Sequence, residues 1–585
     1  MSRAGSGPSA RGLVLSIVLL CFIGASLTAE WRSLIRPDTG FLLDAAARIL
    51  GGERLYVDVV EINPPLIVWL NMGAVALARS IGASPIVVYR LGVIGVLVGS
   101  LLVTAMLLRR LLPDAPRLAA CMVVLLAFVL FPLSAQDFGE REHLVLALLI
   151  PYLLLAAARW EGRPIQHSAA ALIGAGAAIA FALKPHFLLV GIGLELWLRW
   201  RTDRRWRPLA PESIAILVLL AVYGVAIVAL TPAYFGLVAL LAGPYNRFLH
   251  EGVLQLLIMG PGAVLVLFAL LTWLALRGTA RHPSLWTVVA IATATCLVAG
   301  ALQQKGLRYH FYPSLGLATL LLGLMAVDAA RPRDRIRLLY QHIAVAVLAA
   351  TVAVVWVQNV FVALDAGRDS DRAQFDELVE AVRSRAQGAG VFVMSYHLRS
   401  SYPLLNYSGA RSASRFPHLW ILASEYRDEL AAEAPLRYHA PAAMTPVERY
   451  LNRAVTEDFR TRKPRLLVVF RPARDVPANG LRRLDYLAYF QRDTAMARML
   501  GGYQLVQSLG DYLVYERLRP GAARAGPPPR VEPGTQDVMG VQESGVHLQL
   551  ADPTLLVAIV TFLAAFLIVD RRDRRATSES GAAAD

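Results

Sequence analysis

The chain has 585 residues, of which 56% are hydrophobic and 17% are charged, and its mean hydropathy is +0.50. This composition excludes an ordinary soluble enzyme and is typical of a protein that crosses a membrane many times. The formal net charge of +15 does not indicate nucleic-acid binding, because the arginines occur in tight groups between apolar runs, such as Arg109-Arg110 and Arg571-Arg572. Groups of this kind are typical of short cytoplasmic loops.

Twelve apolar runs are long enough, or nearly so, to cross a hydrocarbon core about 30 Å thick. They are predicted at 13–29, 86–108, 117–134, 143–158, 168–183, 187–200, 212–231, 253–276, 284–302, 313–329, 339–362 and 553–569. For the first run, a cleaved signal peptide is the alternative. A further run, 65–82, is predicted to lie along the membrane interface, because only then do all the arginine groups fall on one side.

These runs divide the chain into four predicted regions. Residues 1–362 form a transmembrane module, in which 30–85 is the first extracytoplasmic loop. Residues 363–520 are more charged and alternate short β-like runs (391–394, 466–470 and 512–515) with helix-like ones, which predicts an extracytoplasmic soluble α/β domain. A Pro/Gly-rich linker (521–552) and a final span with a basic cytoplasmic tail (553–585) follow. The predicted location is a bacterial-type inner membrane, crossed many times.

The first outward loop is rich in acids for a loop between two spans. Arg36-Pro37-Asp38 and Asp44 come first, and Glu61-Ile62-Asn63-Pro64-Pro65 follows. This pattern resembles the first loop of the GT-C glycosyltransferases, in the family 39-like branch of protein O-mannosyltransferases and lipid A aminoarabinose transferases. The resemblance extends to the order of spans and the late outer domain, and it implies a GT-C-like polytopic α-helical membrane protein. Two departures stand out: Thr39 follows Asp38 where relatives have a second acid, and Asn63 stands where many have Lys.

The resemblance implies the inverting transfer of a sugar from a polyprenyl-phosphate donor to an acceptor hydroxyl on the extracytoplasmic face. Such a reaction needs a carboxylate to orient or deprotonate the hydroxyl, and cations to hold the departing phosphate. Asp38 is the candidate base, with Glu61 or Glu140 as a second carboxylate. For Asp38 the alternative is an N-cap of the helix beginning near Thr39. The partners implied are the polyprenyl-linked sugar, an envelope acceptor (lipid, polysaccharide or protein) and the bilayer, with no nucleic acid.

Other outward loops supply the remaining candidates. The donor phosphate is predicted to be bound by Lys305, Arg308, Tyr309 and Lys184, although these cations could instead simply anchor helix ends at the interface. Further substrate-binding candidates are Asp44, Asn63, Asp137, Arg141, Glu142 and His310. The acids near Arg141 could instead form an internally paired cluster. A divalent metal, Mg or Mn, is left open as a cofactor without assigned ligands, because the acidic pair is incomplete.

Two other functions stay open at this point. A polymerase or ligase could move whole oligosaccharides from a lipid diphosphate, and Arg247 and His250 in the loop 232–252 are a weak hint of it. A non-enzymatic lipid-glycan transporter is the third reading. Transporters tend to show internal repeats and interrupted helices with polar groups at the midplane. Here no two-fold repeat is apparent, and the polar residues lie at outward ends.

Overall fold

The computed structural model describes residues 10–202, 208–330, 334–365, 370–432, 436–471 and 483–518. Its first part is helical, with α1 (Ala10–Arg32), α2 (Pro37–Leu50), α3 (Leu66–Ile81), α4 (Pro85–Leu111), α5 (Pro116–Leu130), α6 (Arg141–Glu161), α7 (His167–Leu183), α8 (Leu188–Thr202), α9 (Pro211–Leu230), α10 (Ala233–Arg247), α11 (Val253–Met259), α12 (Ala263–Leu276), α13 (Pro283–Ala301), α14 (Arg308–Asp328) and α15 (Arg335–Asp365). The predicted linker 521–552 and the predicted last span 553–569 lie outside the described residues.

Within the described ranges, seven helices are long and apolar enough to cross a membrane: α1, α4, α6, α9, α13, α14 and α15. The pair α11 and α12 makes an eighth span, broken by a 72° bend, so the predicted run 253–276 is not one straight helix. The bend falls at Gly260-Pro261-Gly262, where Gly262 has a φ of +75° that favours glycine. Helices α5, α7 and α8 occupy three further predicted runs but are shorter than the usual span of about 20 residues. The protein is a multi-pass membrane protein.

The first helix is an integral part of the bundle. Helix α1 packs against α5 and α15, and the Phe22 ring lies 5.4 Å from that of Phe128 and 5.3 Å from that of Trp356. These contacts favour a retained span over a cleaved signal peptide for residues 13–29.

One end of the bundle joins helices through their basic residues. Arg163, just after α6, donates to the carbonyl of Arg110 in α4 at 3.1 Å. Arg159 of α6 pairs with Glu195 of α8 at 2.5 Å and with Glu212 of α9 at 3.1 Å. We call this the arginine-rich end, where α4, α6 and α8 end and α9 begins. It corresponds to the side on which the sequence predicts the cytoplasmic loops.

At the opposite end, α1 ends and α4, α6 and α14 begin; we call it the site end. Arg90 of α4 forms a 3.0 Å ion pair with Glu30 of α1, so the chain between them leaves and returns at the same end. Helix α3, with 16 residues, packs on α2 and α4 within this return. This geometry agrees with the prediction that 65–82 does not cross the membrane.

The remaining described helices are α16 (Ser370–Ala386), α17 (Leu404–Ser408), α18 (Trp420–Glu425), α19 (Arg427–Ala431), α20 (Pro446–Arg462), α21 (Tyr486–Phe490) and α22 (Thr494–Leu500). They surround a five-stranded sheet of β1 (Gly390–Met394), β2 (Arg411–Ser412), β3 (Leu466–Phe470), β4 (Tyr503–Leu509) and β5 (Tyr512–Arg517). The strand order is β2-β1-β3-β5-β4, parallel from β2 to β3 and antiparallel from β3 to β4. In register, Val391 faces Leu466, and Leu467 faces Tyr515.

The predicted strands at 391–394, 466–470 and 512–515 are confirmed, whereas β2 and β4 were not predicted. All five residues of β3 are buried, as expected for a short continuous apolar run in the centre of a sheet. Strand β4 is an edge strand whose residues are all at least partly exposed, so it carries no strong apolar signal. The predicted fold class, a helical membrane protein with an additional α/β region, is confirmed.

The sheet region packs on the first loop at the site end. Tyr402 donates to the Asp44 carboxylate at 2.7 Å, and Asn406 donates to the Gly40 carbonyl at 3.0 Å. A Cβ atom on Gly40 would lie 2.6 Å from the Asn406 Oδ1 atom, so the absence of a side chain at Gly40 allows this close approach. The first loop is therefore held between the helical bundle and the sheet region.

Candidate active site

The first turn of α2 presents Asp38 at the site end. Pro37 occupies the first helical position, where its missing N–H leaves no partner unsatisfied, and Arg36 is the N-cap residue. The alternative reading of Asp38 as an N-cap is therefore wrong: it lies inside the first turn. The Arg36 guanidinium donates to the Ala135 carbonyl at 2.6 Å, which ties this turn to the loop before α6.

Charges of both signs surround Asp38. Burial raises the pKa of its carboxyl above the ordinary value, Arg141 opposes that rise, and the negative charges of Glu61 and Glu142 add to it. Lys184 is a further, smaller influence that lowers the pKa. Three separate segments, which contain Glu61, Arg141-Glu142 and Lys184, thus bring charged groups close enough to Asp38 to affect its ionisation.

The second carboxyl, Glu140, stands directly before α6. It is buried, and burial together with the charges of Asp38 and Glu142 raises its pKa well above the ordinary value. Its position is fixed by the preceding turn, where Tyr89 donates a hydrogen bond to the Gly139 carbonyl. Gly139 has a φ of +78°, and a Cβ there would lie 2.9 Å from the Tyr89 hydroxyl. Two crowded carboxyls that resist ionisation are typical of acid–base sites.

Arg141 is a buried charge with unsatisfied donors. It is only 5% exposed, yet its Nε and Nη1 atoms have no hydrogen-bond partner among the described residues. No described carboxylate lies within 4.0 Å of its guanidinium, so the predicted internally paired cluster around Arg141 is not what forms. A buried cation without partners is costly, and an anionic ligand would offset that cost.

Beside Arg141, a second buried cation is fully engaged. The Lys184 ammonium lies 2.9 Å from Glu142 and donates to Gln303 at 3.0 Å. It also lies 6.0 Å from the centre of the Tyr309 ring. Burial lowers the pKa of Lys184, and Glu142 partly restores it. The loop 303–312 thereby meets the end of α7 and, through Lys184, the first turn of α6.

His310 extends this group. Its Nε2 atom is 3.8 Å from Glu142, and its buried Nδ1 atom has no partner among the residues described.

The later part of the first loop contributes Glu61, which is buried and accepts hydrogen bonds from the backbone N–H and the side-chain amide of Asn63, both at 2.6 Å. Asn63 therefore positions Glu61. We call Asp38, Glu61, Glu140, Arg141, Glu142 and Lys184 the charged cluster.

Three predicted site residues have other contacts. Asp44 accepts from Tyr402 and lies 3.8 Å from Arg48, on the side of α2 that faces the sheet region. The structure does not bring Asp44 into the charged cluster. Arg308 lies 3.4 Å from Asp137 and donates to Gln136 at 3.2 Å, with 45% of its side chain exposed.

The third is Lys305, whose ammonium donates to the backbone carbonyls of Tyr245 and Phe248 at the end of α10. The same ammonium lies 4.3 Å from the centre of the Tyr245 ring. Burial lowers the pKa of Lys305 to about 8. Its observed contacts fix the loop 303–307 against α10, and they leave it at the rim of the charged cluster.

Tyr245 is a site residue that sequence reasoning missed. Burial raises its pKa to about 12, Arg141 opposes the rise, and Glu61 and Asp38 add to it. Because Tyr245 also contacts Lys305, the first loop and the loop 303–312 lie on the same side of the bundle. A phenol at the end of a mostly apolar helix carries no charge signal, so the sequence offers little that could have found it.

No group of three or more His, Cys, Asp or Glu side chains in the described ranges is arranged to hold a metal ion. Glu61 is engaged by Asn63 and Glu142 by Lys184. Within the described ranges, these carboxylates therefore do not form a site that fits a divalent metal.

Comparison with known proteins gave structural matches only. Neither a protein-family model nor a curated protein sequence matched the chain. The structure is similar to ArnT from Cupriavidus metallidurans bound to undecaprenyl phosphate, with a TM-score of 0.53, 15% identity, and coverage of 87% of this chain and 98% of ArnT. Apo ArnT gave a TM-score of 0.49 (16% identity, 86% and 97% coverage).

The arabinofuranosyltransferase AftD from Mycobacteria gave a TM-score of 0.44, with 16% identity and coverage of 88% of this chain and 40% of AftD. The last two TM-scores are below 0.5, so only the first match bears on the fold. At 15% identity that match establishes the fold. The chain has the fold of ArnT, as the first loop and the order of spans predict.

Proposed function

We propose that this protein is a membrane glycosyltransferase that moves a sugar from a polyprenyl-phosphate donor to an acceptor hydroxyl. The observation that carries the proposal is the buried, unpartnered guanidinium of Arg141 beside two carboxyls of raised pKa, Asp38 and Glu140. A departing phosphate needs a cation such as the Arg141 guanidinium. The transfer of a proton from the acceptor hydroxyl needs a carboxyl group that can accept it. The similarity to ArnT, which was solved with undecaprenyl phosphate, supports this choice of donor.

In this proposal, Arg141 binds the donor phosphate. A guanidinium donates charge-assisted hydrogen bonds to phosphate oxygens, and the Nε and Nη1 atoms of Arg141 are free to donate them. Tyr309 stands next to it as a further contact, and Lys184, which Glu142 and Gln303 already engage, adds positive charge nearby. Lys305 and Arg308, predicted phosphate ligands, are assigned a supporting role because backbone carbonyls and Asp137 already engage them.

Asp38 acts as the general base. The acceptor oxygen forms a bond to the anomeric carbon while the bond from that carbon to the phosphate oxygen breaks. The electron pair of the broken bond leaves with the polyprenyl phosphate, whose charge Arg141 stabilises, and Asp38 accepts the hydroxyl proton. Attack from the side opposite the phosphate inverts the anomeric centre. Glu61 or Glu140 is the second carboxylate, which orients the acceptor.

The site end is proposed to face the extracytoplasmic side of a bacterial inner membrane. The arginine groups gather at the opposite end, as the positive-inside rule requires. The sheet region then lies outside the membrane over the first loop, where it would help to select the acceptor among envelope lipids, polysaccharides and proteins.

One observation favours a second candidate, the lipid-glycan transporter. The span made by α11 and α12 is broken, as spans of many transporters are. The charged cluster, however, lies at one end of the bundle, whereas transporter sites lie near the midplane. For the polymerase or ligase reading the hint weakens, since Arg247 pairs with Glu425 at 2.7 Å.

The proposal is tested with purified protein and a panel of undecaprenyl-phosphate sugars, labelled in the sugar, in the presence of an envelope fraction. The expected result is release of undecaprenyl phosphate together with transfer of label to an envelope component. Movement of intact donor across a vesicle membrane without release would instead establish the transporter. Release of a lipid diphosphate would establish the polymerase or ligase.

A further inference from the structure

The sheet region carries a pocket that the charged cluster does not include. It has a volume of about 380 Å³ and lies along α20, lined by Arg415, Arg449, Tyr450, Arg453 and Glu457 among others. At about 30 Å³ per water molecule, this volume holds a phosphate group and part of the molecule that carries it. Three arginines around one pocket favour an anionic ligand.

Only one of the three arginines is neutralised. Arg415 pairs with Glu457 at 2.8 Å and with Asp458 at 3.0 Å. Arg449 donates through Nη1 to the Met444 carbonyl at 2.5 Å, and no described carboxylate lies within 4.0 Å of it. Arg453 is exposed and has no hydrogen-bond or ion-pair partner in the part of the chain that the structure describes. The pocket therefore keeps two positive charges available.

Tyr450 adds a neutral donor to the same pocket. Its ring packs edge-on against Phe416 with the centroids 5.9 Å apart, which fixes its direction. Burial raises the pKa of Tyr450, although Arg415 opposes the rise, so the phenol keeps its proton at neutral pH. A protonated phenol on a pocket wall that also carries two guanidinium groups matches an anion with several oxygen atoms.

One wall of this pocket is in direct contact with the first loop. The Arg415 carbonyl accepts a hydrogen bond of 2.7 Å from the N–H of Val60, the residue directly before Glu61. One turn from the pocket, Arg462 pairs with Glu53 of the first loop at 3.2 Å. The pocket and the charged cluster thus lie on two sides of the same loop segment.

We propose that the pocket formed by Arg449, Tyr450 and Arg453 binds an anionic group of the acceptor, a phosphate or a carboxylate, while the acceptor hydroxyl lies near Asp38. This assignment rests on the proposed function, and it narrows the acceptor to an anionic envelope molecule. Neutral glycans and neutral lipids would then be poor acceptors.

The test measures binding of inorganic phosphate and of short-chain phosphatidylglycerol by phosphorus NMR line broadening. The full-length protein is first saturated with undecaprenyl phosphate, so that the donor site does not contribute. The variants are Arg453→Gln alone and Arg449→Gln with Arg453→Gln. Arg460→Gln is the matched control, because Arg460 is exposed on the same helix but does not line the pocket. Thermal unfolding checks that each variant folds.

Wild type and Arg460→Gln are expected to bind a probe, and Arg453→Gln to bind it about tenfold more weakly, the effect of one charged hydrogen bond. Binding of both probes, or of phosphate alone, supports a phosphate or carboxylate site. Binding of phosphatidylglycerol alone supports a lipid acceptor. Absent wild-type binding, or equal binding by Arg453→Gln, overturns the proposal.

Failure of the proposed function would look different. It would appear as absent release of undecaprenyl phosphate from the sugar donor, which does not depend on the arginine pocket. Arg453→Lys is the conservative variant: because lysine keeps the charge but loses the planar donor pair, partial recovery of probe binding is expected.

Discussion

The two ends of the helical bundle use buried charge in different ways. At the arginine-rich end, each buried charge meets a partner: Arg159 pairs with Glu195 and Glu212, and Asp328 accepts from Trp286 at 2.9 Å and from His282 at 2.7 Å. These contacts join the ends of α6, α8, α9, α13 and α14. Since these buried charges are engaged, this end is suited to holding helices together.

At the site end, some buried charges lack partners of opposite charge. Arg141 is buried with free donors, and Asp38 and Glu140 repel each other's ionised forms. Such an arrangement costs stability, and proteins retain it where a ligand or a reaction needs it. In this protein, a buried charge with complete partners has a structural role, and a buried charge without them is a candidate for function.

Asp38→Asn gives the largest expected effect on this comparison. Loss of the base should lower sugar transfer by about 10²–10⁴-fold, with donor binding and expression unchanged. Asp44→Asn is the matched control on the same helix, because Asp44 contacts Tyr402 and not the cluster. Transfer rates and thermal unfolding of both variants are the measurements. Full activity of Asp38→Asn would remove Asp38 from the mechanism.

Arg141→Gln is expected to weaken binding of undecaprenyl phosphate about 100-fold. A desolvated charged contact of this kind contributes roughly 2 kcal/mol or more to the free energy of binding. Arg159→Gln is the counterpart at the arginine-rich end. It leaves Glu212, 2% exposed, without its cation, and should cost about 3–5 kcal/mol of stability while donor binding persists.

Lipid titration and thermal unfolding separate the two variants. If Arg159→Gln does not fold, Arg159→Lys serves in its place. Equal loss of donor binding in the Arg141 and Arg159 variants would erase the distinction between the two ends.

The pH–rate profile sharpens the same contrast. The raised pKa values of Asp38 and Glu140 mean that the folded protein disfavours their ionised forms. Asp38 must be ionised to act as a base, so activity should rise with pH through a value above that of an ordinary Asp carboxyl. Glu140→Gln removes one of the repelling charges and should move this rise to lower pH. A rise at the same pH in both proteins would contradict the coupling.

The smallest effect is expected for Lys305→Met. This change removes the hydrogen bonds to the Tyr245 and Phe248 carbonyls and should cost about 1–3 kcal/mol of stability. Donor binding should change little. A loss of donor binding as large as that of Arg141→Gln would restore Lys305 to the role that the sequence predicts.

Hydropathy and arginine placement were enough to predict most of the bundle. The length of each apolar run predicts the spans. That residues 65–82 do not cross the membrane follows from the side on which Arg109-Arg110 must lie. The meeting of the loop 303–312 with the loop before α6 could be predicted because both precede inward-running spans. Arg308 provides that contact in the structure, through Asp137 and Gln136.

What each side chain does at the site end could not be predicted in the same way. The partner of Asp44 is Tyr402, which is 358 positions away and belongs to another region. The partners of Lys305 are backbone carbonyls, which no residue pattern encodes. Whether Arg141 is paired or free depends on helix positions that differ by only a few ångströms. Residue type identified the candidates, and geometry assigned their roles.

The most direct test of the central claim is a structure of this protein with undecaprenyl phosphate bound. The account predicts the lipid phosphate at the site end, with its oxygens about 2.7–2.9 Å from the Arg141 guanidinium and Asp38 facing the sugar position. A phosphate bound at the arginine-rich end, or an Arg141 that keeps no contact with it, would contradict the account.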